Sequence, residues 1–213
     1  MNPDSESKET VHPLRGRLRK QLRAATQGAI LDAAEAVLAA EGLHRAGMNA
    51  IAARAGVSVG TLYNHFRHRD ELVAALFESR RAALLSGVDD ALAAVARAPF
   101  AAQLRALVAG QLGFFVARRA FVKLALDSEA PPPAAGRLHV MQQLALRTGK
   151  VVQRGISQRA LAPDPHGLLP GALQGLLKAA MLRMLAGDLA LPAAVDATIA
   201  LFLHGAARKG RTR

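Results

Sequence analysis

The 213-residue sequence has no cysteine, no tryptophan and a single tyrosine. The lack of cysteine excludes disulfide frameworks, thiolate zinc sites, iron–sulfur clusters and cysteine nucleophiles. No stretch free of Asp, Glu, Lys and Arg exceeds 13 residues. A membrane-spanning helix needs about 18 to 20 apolar residues, so no transmembrane segment is expected. The first ten residues are polar and unlike a signal peptide, which makes the cytoplasm the simplest expected location.

Acidic residues are scarce relative to basic ones, at 16 against 28, and the formal net charge is +12. This balance suggests a polyanionic partner, either nucleic acid or an anionic membrane surface. Residues 71–213 hold 18 of the basic and 9 of the acidic side chains, so most of the excess lies there. An acidic ligand and a general attraction to DNA explain that bias equally well. Hydrophobic residues, at 51%, are abundant enough for a folded core.

Apolar residues recur at three- and four-residue spacings along most of the chain, and sustained alternation of apolar and polar residues is missing. These patterns predict an all-α protein without a sheet. Glycines, prolines and the apolar spacing predict helices at residues 24–41, 49–55, 60–66, 100–118, 134–160, 166–186 and 192–206. They also predict a long helix that begins at residue 70 and a shorter one that ends at residue 127.

A basic arm precedes the first predicted helix. Five cations and no acidic residue lie between Leu14 and Arg23, namely Arg15, Arg17, Arg19, Lys20 and Arg23. Residues 1–13 are interpreted as a disordered leader, and the arm that completes the segment 1–23 is either solvated or lies along a DNA groove or backbone.

The last two predicted helices are apolar almost all round. Lys178 and Arg183 are the only full charges between His166 and Ala186. Such helices are covered on more than one side, either as a well-buried core pair or as the interface of a helical-bundle homodimer.

Residues 49–66 read Asn-Ala-Ile-Ala-Ala-Arg-Ala-Gly-Val-Ser-Val-Gly-Thr-Leu-Tyr-Asn-His-Phe. This is a helix-turn-helix signature, in which Ala52 allows close helix packing and Gly56 supplies the turn. Ile51, Val57 and Leu62 provide apolar contacts that fix the crossing angle. The second helix is then free to enter a DNA major groove.

This motif, together with Ile30-Leu31-Asp32-Ala33-Ala34 before it and Arg69-Asp70-Glu71-Leu72 after it, resembles the DNA-binding domain of the TetR (tetracycline repressor) family. The resemblance covers about residues 23–77. It implies a three-helix DNA-binding domain at 24–70, a helical ligand-binding and dimerisation domain at 71–207, and leaves a basic tail at 208–213. It further implies a homodimer that reads a pseudo-palindromic operator and is released by a small molecule.

The resemblance also implies which residues contact DNA. Thr61 and Tyr63 would bind phosphates through their hydroxyls, and Val59 and Gly60 would approach base edges. Asn64 and His65 would lie at the DNA surface, although core packing of His65 is about equally consistent with the pattern. The expected DNA-binding set is Asn49, Ser58, Val59, Gly60, Thr61, Tyr63, Asn64, His65 and Arg69, and Phe66 is interpreted as core.

Three features depart from the family pattern. Gly47 stands where a Ser or Thr commonly caps the second helix, so one hydroxyl contact is missing. Ala50 and Ala53 occupy positions that are often charged, and His68 replaces the usual Ser or Asn cap of the fourth helix.

A ligand site is expected in the C-terminal region. Gln111 shares a helical stripe with Leu104, Val108 and Phe115, so it could orient a ligand among apolar groups or be a buried or solvent-facing amide. The candidate ligand-binding set is Gln111, Phe114, Phe115, Met141 and Gln174. The aromatic and methionine members could equally be ordinary core. The effector is expected to be apolar with an acidic group.

Alternative functions were weighed against the same residues. No nucleophile with a base, metal cluster or phosphate loop is recognisable, so neither an enzyme nor a cofactor or metal site is expected. A DNA-binding protein without an effector, such as a constitutive repressor or a nucleoid-associated protein, shares the motif. Membrane-surface binding is less favoured because the basic arm lacks an aromatic or leucine-rich face. The sequence therefore favours a ligand-responsive repressor that binds double-stranded DNA.

Overall fold

The computed structural model describes the backbone of residues 11–127 and 134–206, and the side chains of 15–126 and 139–205. Within these ranges the chain forms helices and no strands, which confirms the predicted all-α class. The helices are α1 (Val11–Glu41), α2 (Met48–Ala55), α3 (Val59–His65), α4 (Arg69–Ala94), α5 (Phe100–Ala117), α6 (Arg119–Asp127), α7 (Ala134–Ser157), α8 (Leu169–Ala186) and α9 (Leu191–Ala206).

The chain divides into two compact units. Unit 1 comprises residues 1–76, and unit 2 comprises residues 77–213. The division falls inside α4, six residues beyond the expected boundary at residue 70. The first turns of α4 belong to unit 1 because Leu72, Val73 and Leu76 are buried there.

Unit 1 has a small core built from one face of each helix. Its buried apolar residues are Ile30, Leu31, Ala33, Ala34, Val37, Leu38, Ala46, Ile51, Ala52, Leu62, Phe66, Leu72, Val73 and Leu76. Their three- and four-residue spacing within each helix is the pattern from which the helices were predicted.

The start of α1 corrects one expectation. Residues 11–13 were expected to be disordered and residues 14–23 to form a basic arm ahead of the first helix, but all of them are part of α1, without a break. Pro13 is tolerated because it lies in the first helical turn, and the Leu, Arg, Lys, Gln and Ala residues that follow are good helix formers. The prediction failed because it relied on a buried stripe, which this exposed part of α1 lacks. The rest of the expected leader, residues 1–10, and the tail at 208–213 lie outside the described residues.

Unit 2 is organised around α5, which packs against α6, α7, α8 and α9. Among the described residues, α5 is the one helix long and apolar enough to cross a membrane by length and composition. Seven of its residues are buried in the unit, including Gln103 and Gln111. Burial within the unit explains its apolar character, as in the central helix of a bundle.

Side-chain contacts fix the connections between the helices of unit 2. The amide of Gln103 donates to the carbonyls of Ala96 and Ala98, in the segment between α4 and α5. Gln158 accepts a hydrogen bond from the N–H of Phe100 at the start of α5. The side chains of Gln103, which is buried, and Gln158, which is exposed, therefore pair backbone groups at helix ends.

Candidate DNA-binding site

The turn between α2 and α3 has the geometry that the motif predicts. Gly56 adopts the left-handed conformation with φ of 67°, and its N–H donates to the carbonyl of Ala53. The N–H of Val57 donates to the carbonyl of Ala52, which is 1% exposed. The positive φ explains the glycine, because a side chain would be strained there. The buried Ala52 leaves room for the two helices to meet closely.

The two helices of the motif begin differently. Ser58 caps α3, and its Oγ accepts a hydrogen bond of 3.0 Å from the N–H of Thr61. The hydroxyls of the same two residues lie 2.8 Å apart. Gly47 precedes α2 in an extended conformation and provides no side-chain cap. The start of α2 therefore lacks the side-chain hydroxyl that a Ser or Thr would supply as a cap.

The short helix α3 has one buried and one exposed face. Leu62 is fully buried and Phe66 is 2% exposed, so Phe66 belongs to the core, as predicted. Val59 and Tyr63 are 40% and 48% exposed, and Asn64 is exposed as well. Since α3 is fixed to unit 1 by its buried face, it presents these side chains to solvent from a rigid position.

Gly60 lies in the first turn of α3 on the exposed side. A Cβ added there would find one neighbour within 4 Å, the Oγ of Ser58 at 3.9 Å. The fold would thus accept a side chain at this position. Glycine also lowers helix stability by roughly 0.5–1 kcal/mol relative to alanine. The packing of unit 1 does not explain the glycine, whereas close approach of another molecule to the backbone would.

Other candidate residues lie around this face in different environments. Asn49 is exposed near the start of α2. His65 is half-buried, and its ring centroid is 6.3 Å from that of Phe66. Its partial burial is consistent with both predicted roles, which are contact with DNA and packing in the core.

Arg69 has a structural role that the sequence did not predict. Its Nε donates to the carbonyl of Ala46, which joins the start of α4 to the segment before α2. Its side chain is 28% exposed, and its Nη2 is buried with no hydrogen-bond partner among the described residues. The guanidinium is therefore held in place rather than free in solvent. Arg69 and Ala46 lie 23 positions apart in the sequence, and no local pattern indicates a contact over that distance.

The beginning of α4 is capped by side chains. The N–H of Glu71 donates to Nδ1 of His68 at 3.2 Å, and the N–H of Arg67 donates to Oε2 of Glu71 at 2.7 Å. His68 thus replaces the usual Ser or Asn cap, and Glu71 completes a reciprocal capping arrangement. The caps fix the direction in which the chain leaves α3.

Unit 2 places the candidate ligand residues in three kinds of environment. Gln111 is 1% exposed, and its Nε2 has no hydrogen-bond partner among the described residues. Phe114 and Phe115 are half-buried and pack against the core. Gln174 donates from Nε2 to Oγ1 of the buried Thr148 at 2.7 Å, so its amide already has a partner.

Met141 does not belong to this interior. It is 53% exposed, beside a shallow depression on the outer face of α7 lined by residues that include Gln142, Leu146 and Gln153. Met141 is therefore not an ordinary core residue, and its role in ligand binding stays a prediction. The apolar character of Met141 did not reveal which face of α7 is buried, which is decided by Val140, Leu144 and Thr148.

Comparisons with known proteins agree with this geometry. Residues 30–76 match the family model of bacterial regulatory proteins of the tetR family. A curated relative, the HTH-type transcriptional activator FasR of Mycolicibacterium smegmatis, is 46% identical over 66 residues, which are 31% of this chain and 30% of the relative's length. The match thus spans less than a third of that relative.

Solved structures extend the likeness over most of the chain. A TetR-like transcriptional regulator from Rhodococcus sp. RHA1 has a TM-score of 0.69 at 26% identity, covering 85% of this chain and 96% of that one. FadR from Bacillus subtilis, solved in complex with stearoyl-CoA, has a TM-score of 0.71 at 17% identity, covering 83% and 97%. The second likeness concerns the fold alone.

The fold and the site together define a helix-turn-helix protein whose recognition helix is exposed on a small N-terminal unit and followed by a larger helical unit. Residues 30–76 match the tetR family model, and the chain shares its fold with a TetR-like regulator over 85% of its length.

Proposed function

We propose that the chain is a ligand-responsive transcriptional regulator, acting as a repressor, that binds a pseudo-palindromic DNA operator as a homodimer. The observation that carries this proposal is the face of α3, where Val59, Tyr63 and Asn64 are exposed beside a glycine that the fold does not require. An exposed face on a short helix anchored by Leu62 and Phe66 suits insertion into a major groove.

The DNA-binding residues have distinct proposed roles. Tyr63, Thr61 and Ser58 supply hydroxyls for phosphates, while Val59 and Gly60 meet base edges. Asn64 and Asn49 offer amides at the exposed surface, and His65 lies at its margin. We assign Arg69 to phosphate binding at the start of α4, from the position in which its bond to Ala46 holds it.

Removal of the Tyr63 hydroxyl tests the DNA-binding face. Tyr63→Phe should weaken binding to DNA from upstream of the protein's own gene by about tenfold or more, since a hydrogen bond to a charged group contributes about 1.5–3 kcal/mol. The melting temperature should not change, because the side chain is 48% exposed. Fluorescence anisotropy with upstream and scrambled duplexes measures the effect.

Ser86→Ala is the matched control, because it removes an exposed hydroxyl from α4 outside unit 1. Equal binding of wild type and Tyr63→Phe would contradict the role of Tyr63. A lack of preference for upstream over scrambled DNA would favour a sequence-independent DNA-binding protein instead.

The surfaces of α8 and α9 support a homodimer through the last two helices. Gly171, Gly175 and Ala179 are exposed at four-residue intervals on α8, and Ala193 and Ala197 are exposed on α9. Small residues in such rows allow another helix to approach closely, and exposed Leu182 and Leu201 add apolar area. Sedimentation equilibrium tests this assignment, and a monomer at micromolar concentration would contradict it.

The effector is proposed to be a long-chain acyl thioester. Nε2 of Gln111 is buried and has no hydrogen-bond partner among the described residues. Phe114 and Phe115 follow it on α5 and pack against the core, and Gln174 lies on the neighbouring helix α8. The basic excess of residues 71–213 suits an acidic head group. The structural neighbour that binds stearoyl-CoA supports the same ligand class.

Substitution of Gln111 tests this site. Gln111→Leu should raise the melting temperature, because an unpaired buried amide costs about 1–3 kcal/mol, and it should abolish release of DNA by stearoyl-CoA. Differential scanning fluorimetry and anisotropy of the protein–DNA complex measure the two effects.

Gln103→Leu is the control on the same helix, because the amide of Gln103 is paired with two carbonyls. It should lower the melting temperature and leave the stearoyl-CoA response unchanged. A destabilised Gln111→Leu variant that still responds to stearoyl-CoA would give Gln111 a purely structural role.

A further inference from the structure

The N-terminal half of α1 contributes nothing to the core of unit 1. Burial in α1 begins at Ile30, whereas residues 15–29 are exposed apart from the half-buried Thr26. Residues 11–28, here named the basic extension, form a helix about 27 Å long at 1.5 Å per residue. Since packing does not explain this part of the helix, its composition indicates what it contacts.

The basic extension carries an ordered row of positive charge. Arg15, Arg19 and Arg23 follow one another at four-residue intervals, so they share one face and lie about 6 Å apart along the axis. Arg17 and Lys20 add two more cations. All five are exposed, and none forms a salt bridge with another residue that the structure describes.

This arrangement is unfavourable in the isolated chain. No acidic residue occurs between Val11 and Leu31, and like charges four residues apart destabilise a helix by about 0.2–0.5 kcal/mol per pair. A regularly charged polyanion would replace this repulsion with attraction. Duplex DNA is such a partner, because its phosphates recur every 3.4 Å of axis on each strand and arginine binds phosphate through two parallel hydrogen bonds.

A membrane surface fits the extension less well. Leu18 and Leu22 are 56% and 60% exposed, but residues 1–62 contain no aromatic residue. Interfacial helices bury a broad apolar face with aromatic and leucine residues, and two leucines do not form one. The row of arginines therefore favours DNA over a membrane surface more strongly than the two leucines favour a membrane.

We infer that the basic extension is a second DNA contact, which binds phosphates of the duplex next to the site read by α3 and does so independently of sequence. The inference rests on the proposed function, because both elements belong to unit 1 and act on the same duplex. It gives α1 a role in the extent and salt dependence of DNA binding, whereas α3 determines which sequence is bound.

The test is a salt series with a labelled, scrambled duplex of about four helical turns and the full-length protein. The triple variant Arg15→Gln/Arg19→Gln/Arg23→Gln should reduce the slope of log K against log salt by about 2.7 per protomer, or ~0.9 for each phosphate lost. Between about 50 and 200 mM salt, wild-type binding should then weaken roughly 40-fold more than binding by the variant for each protomer in contact with the duplex. Glutamine preserves helix propensity, which circular dichroism checks.

A matched control separates this contact from net charge. Arg97→Gln/Lys123→Gln/Lys150→Gln removes three exposed cations from unit 2 and should leave the slope unchanged. Lysine at positions 15, 19 and 23 should retain the wild-type slope, because the charge is kept.

An unchanged slope in the glutamine triple variant would overturn the inference, and so would an equal change in the unit 2 control. Vesicles of phosphatidylglycerol that bind wild type but not the glutamine variant, with no change in DNA slope, would assign the extension to membranes instead. Sequence preference and the Tyr63→Phe effect are measured separately. Failure of the extension is therefore distinguishable from failure of the proposed function.

Discussion

Gly60 in unit 1 and Gly155 in unit 2 both lie within helices, yet their surroundings are opposite. Gly60 faces open space, and a Cβ there would meet one atom at 3.9 Å. A Cβ on Gly155 would lie 2.8 Å from both Leu161 Cδ1 and Phe100 Cε2. Packing inside the unit explains the second glycine but not the first.

The polar side chains divide in the same way. Unit 1 presents Tyr63 and Asn64 on the surface of a small core, whereas unit 2 buries Gln103, Gln111 and Thr148 within a larger one. The contrast indicates that substitutions at the unit 1 site change binding with little effect on stability. In unit 2, substitution of any of these buried polar side chains is expected to change stability, whether or not it changes the response to a ligand.

The largest expected effect is at Gly155. Gly155→Ala should destabilise the protein by about 1–3 kcal/mol, since Leu161 and Phe100 are 1% and 3% exposed and have little room to move. Thermal unfolding measures this. Gly149→Ala on the same helix, with nothing within 4 Å of the added Cβ, should stabilise by roughly 0.5–1 kcal/mol. Equal effects of the two substitutions would remove the contrast between packed and open glycines.

Gly60→Ala should separate binding from stability. The helix should gain roughly 0.5–1 kcal/mol, because alanine loses less backbone entropy on folding. Affinity for upstream DNA should fall by about 1–3 kcal/mol if the backbone packs closely against DNA, as for other overpacked contacts. Melting curves measure stability and fluorescence anisotropy measures affinity for DNA, with Gly149→Ala as the control for added helix stability. A variant that is more stable than wild type and binds upstream DNA with the same affinity would show that α3 does not approach DNA closely at Gly60.

The smallest expected effect concerns an ion pair in unit 2. Arg147 donates two hydrogen bonds to Asp89, at 2.7 and 2.6 Å, and joins α7 to α4. These bonds, aided by the charges of Arg147 and Lys150, hold the pKa of Asp89 below its usual 3.8. Stability from the pair is therefore present at neutral pH and is lost as the pH falls through that lowered pKa.

Asp89→Asn should reduce stability at pH 7 by at most about 1 kcal/mol, since Asp89 is 53% exposed and its attraction is screened. The difference from wild type should disappear in acid. Urea unfolding at several pH values measures it, and Asp90→Asn, at an exposed neighbour, is the control. A difference that persists in acid would rule out ionisation of Asp89 as its source.

The sequence predicted unit 1 more completely than unit 2. The turn at Gly56 and the buried face of α3 depend on residues within about ten positions of one another, so a single motif contains them. The roles of the exposed residues in DNA binding remain predictions. The start of α1 was missed because exposed helices lack an apolar stripe, and the contact between Arg69 and Ala46 joins residues 23 positions apart.

For this protein, the sequence alone determined the all-α class, the helix-turn-helix motif and the resemblance of residues 30–76 to the tetR family, because these depend on spacing and turn residues that lie close together in the chain. Tertiary structure decided that Gln111 Nε2 is buried with no hydrogen-bond partner in the described part of the chain, that Met141 is exposed and that Gln174 is paired with Thr148. Amphipathic spacing shows that a helix has a buried face, but only the packing of several helices fixes which polar groups lie inside it and whether they find partners.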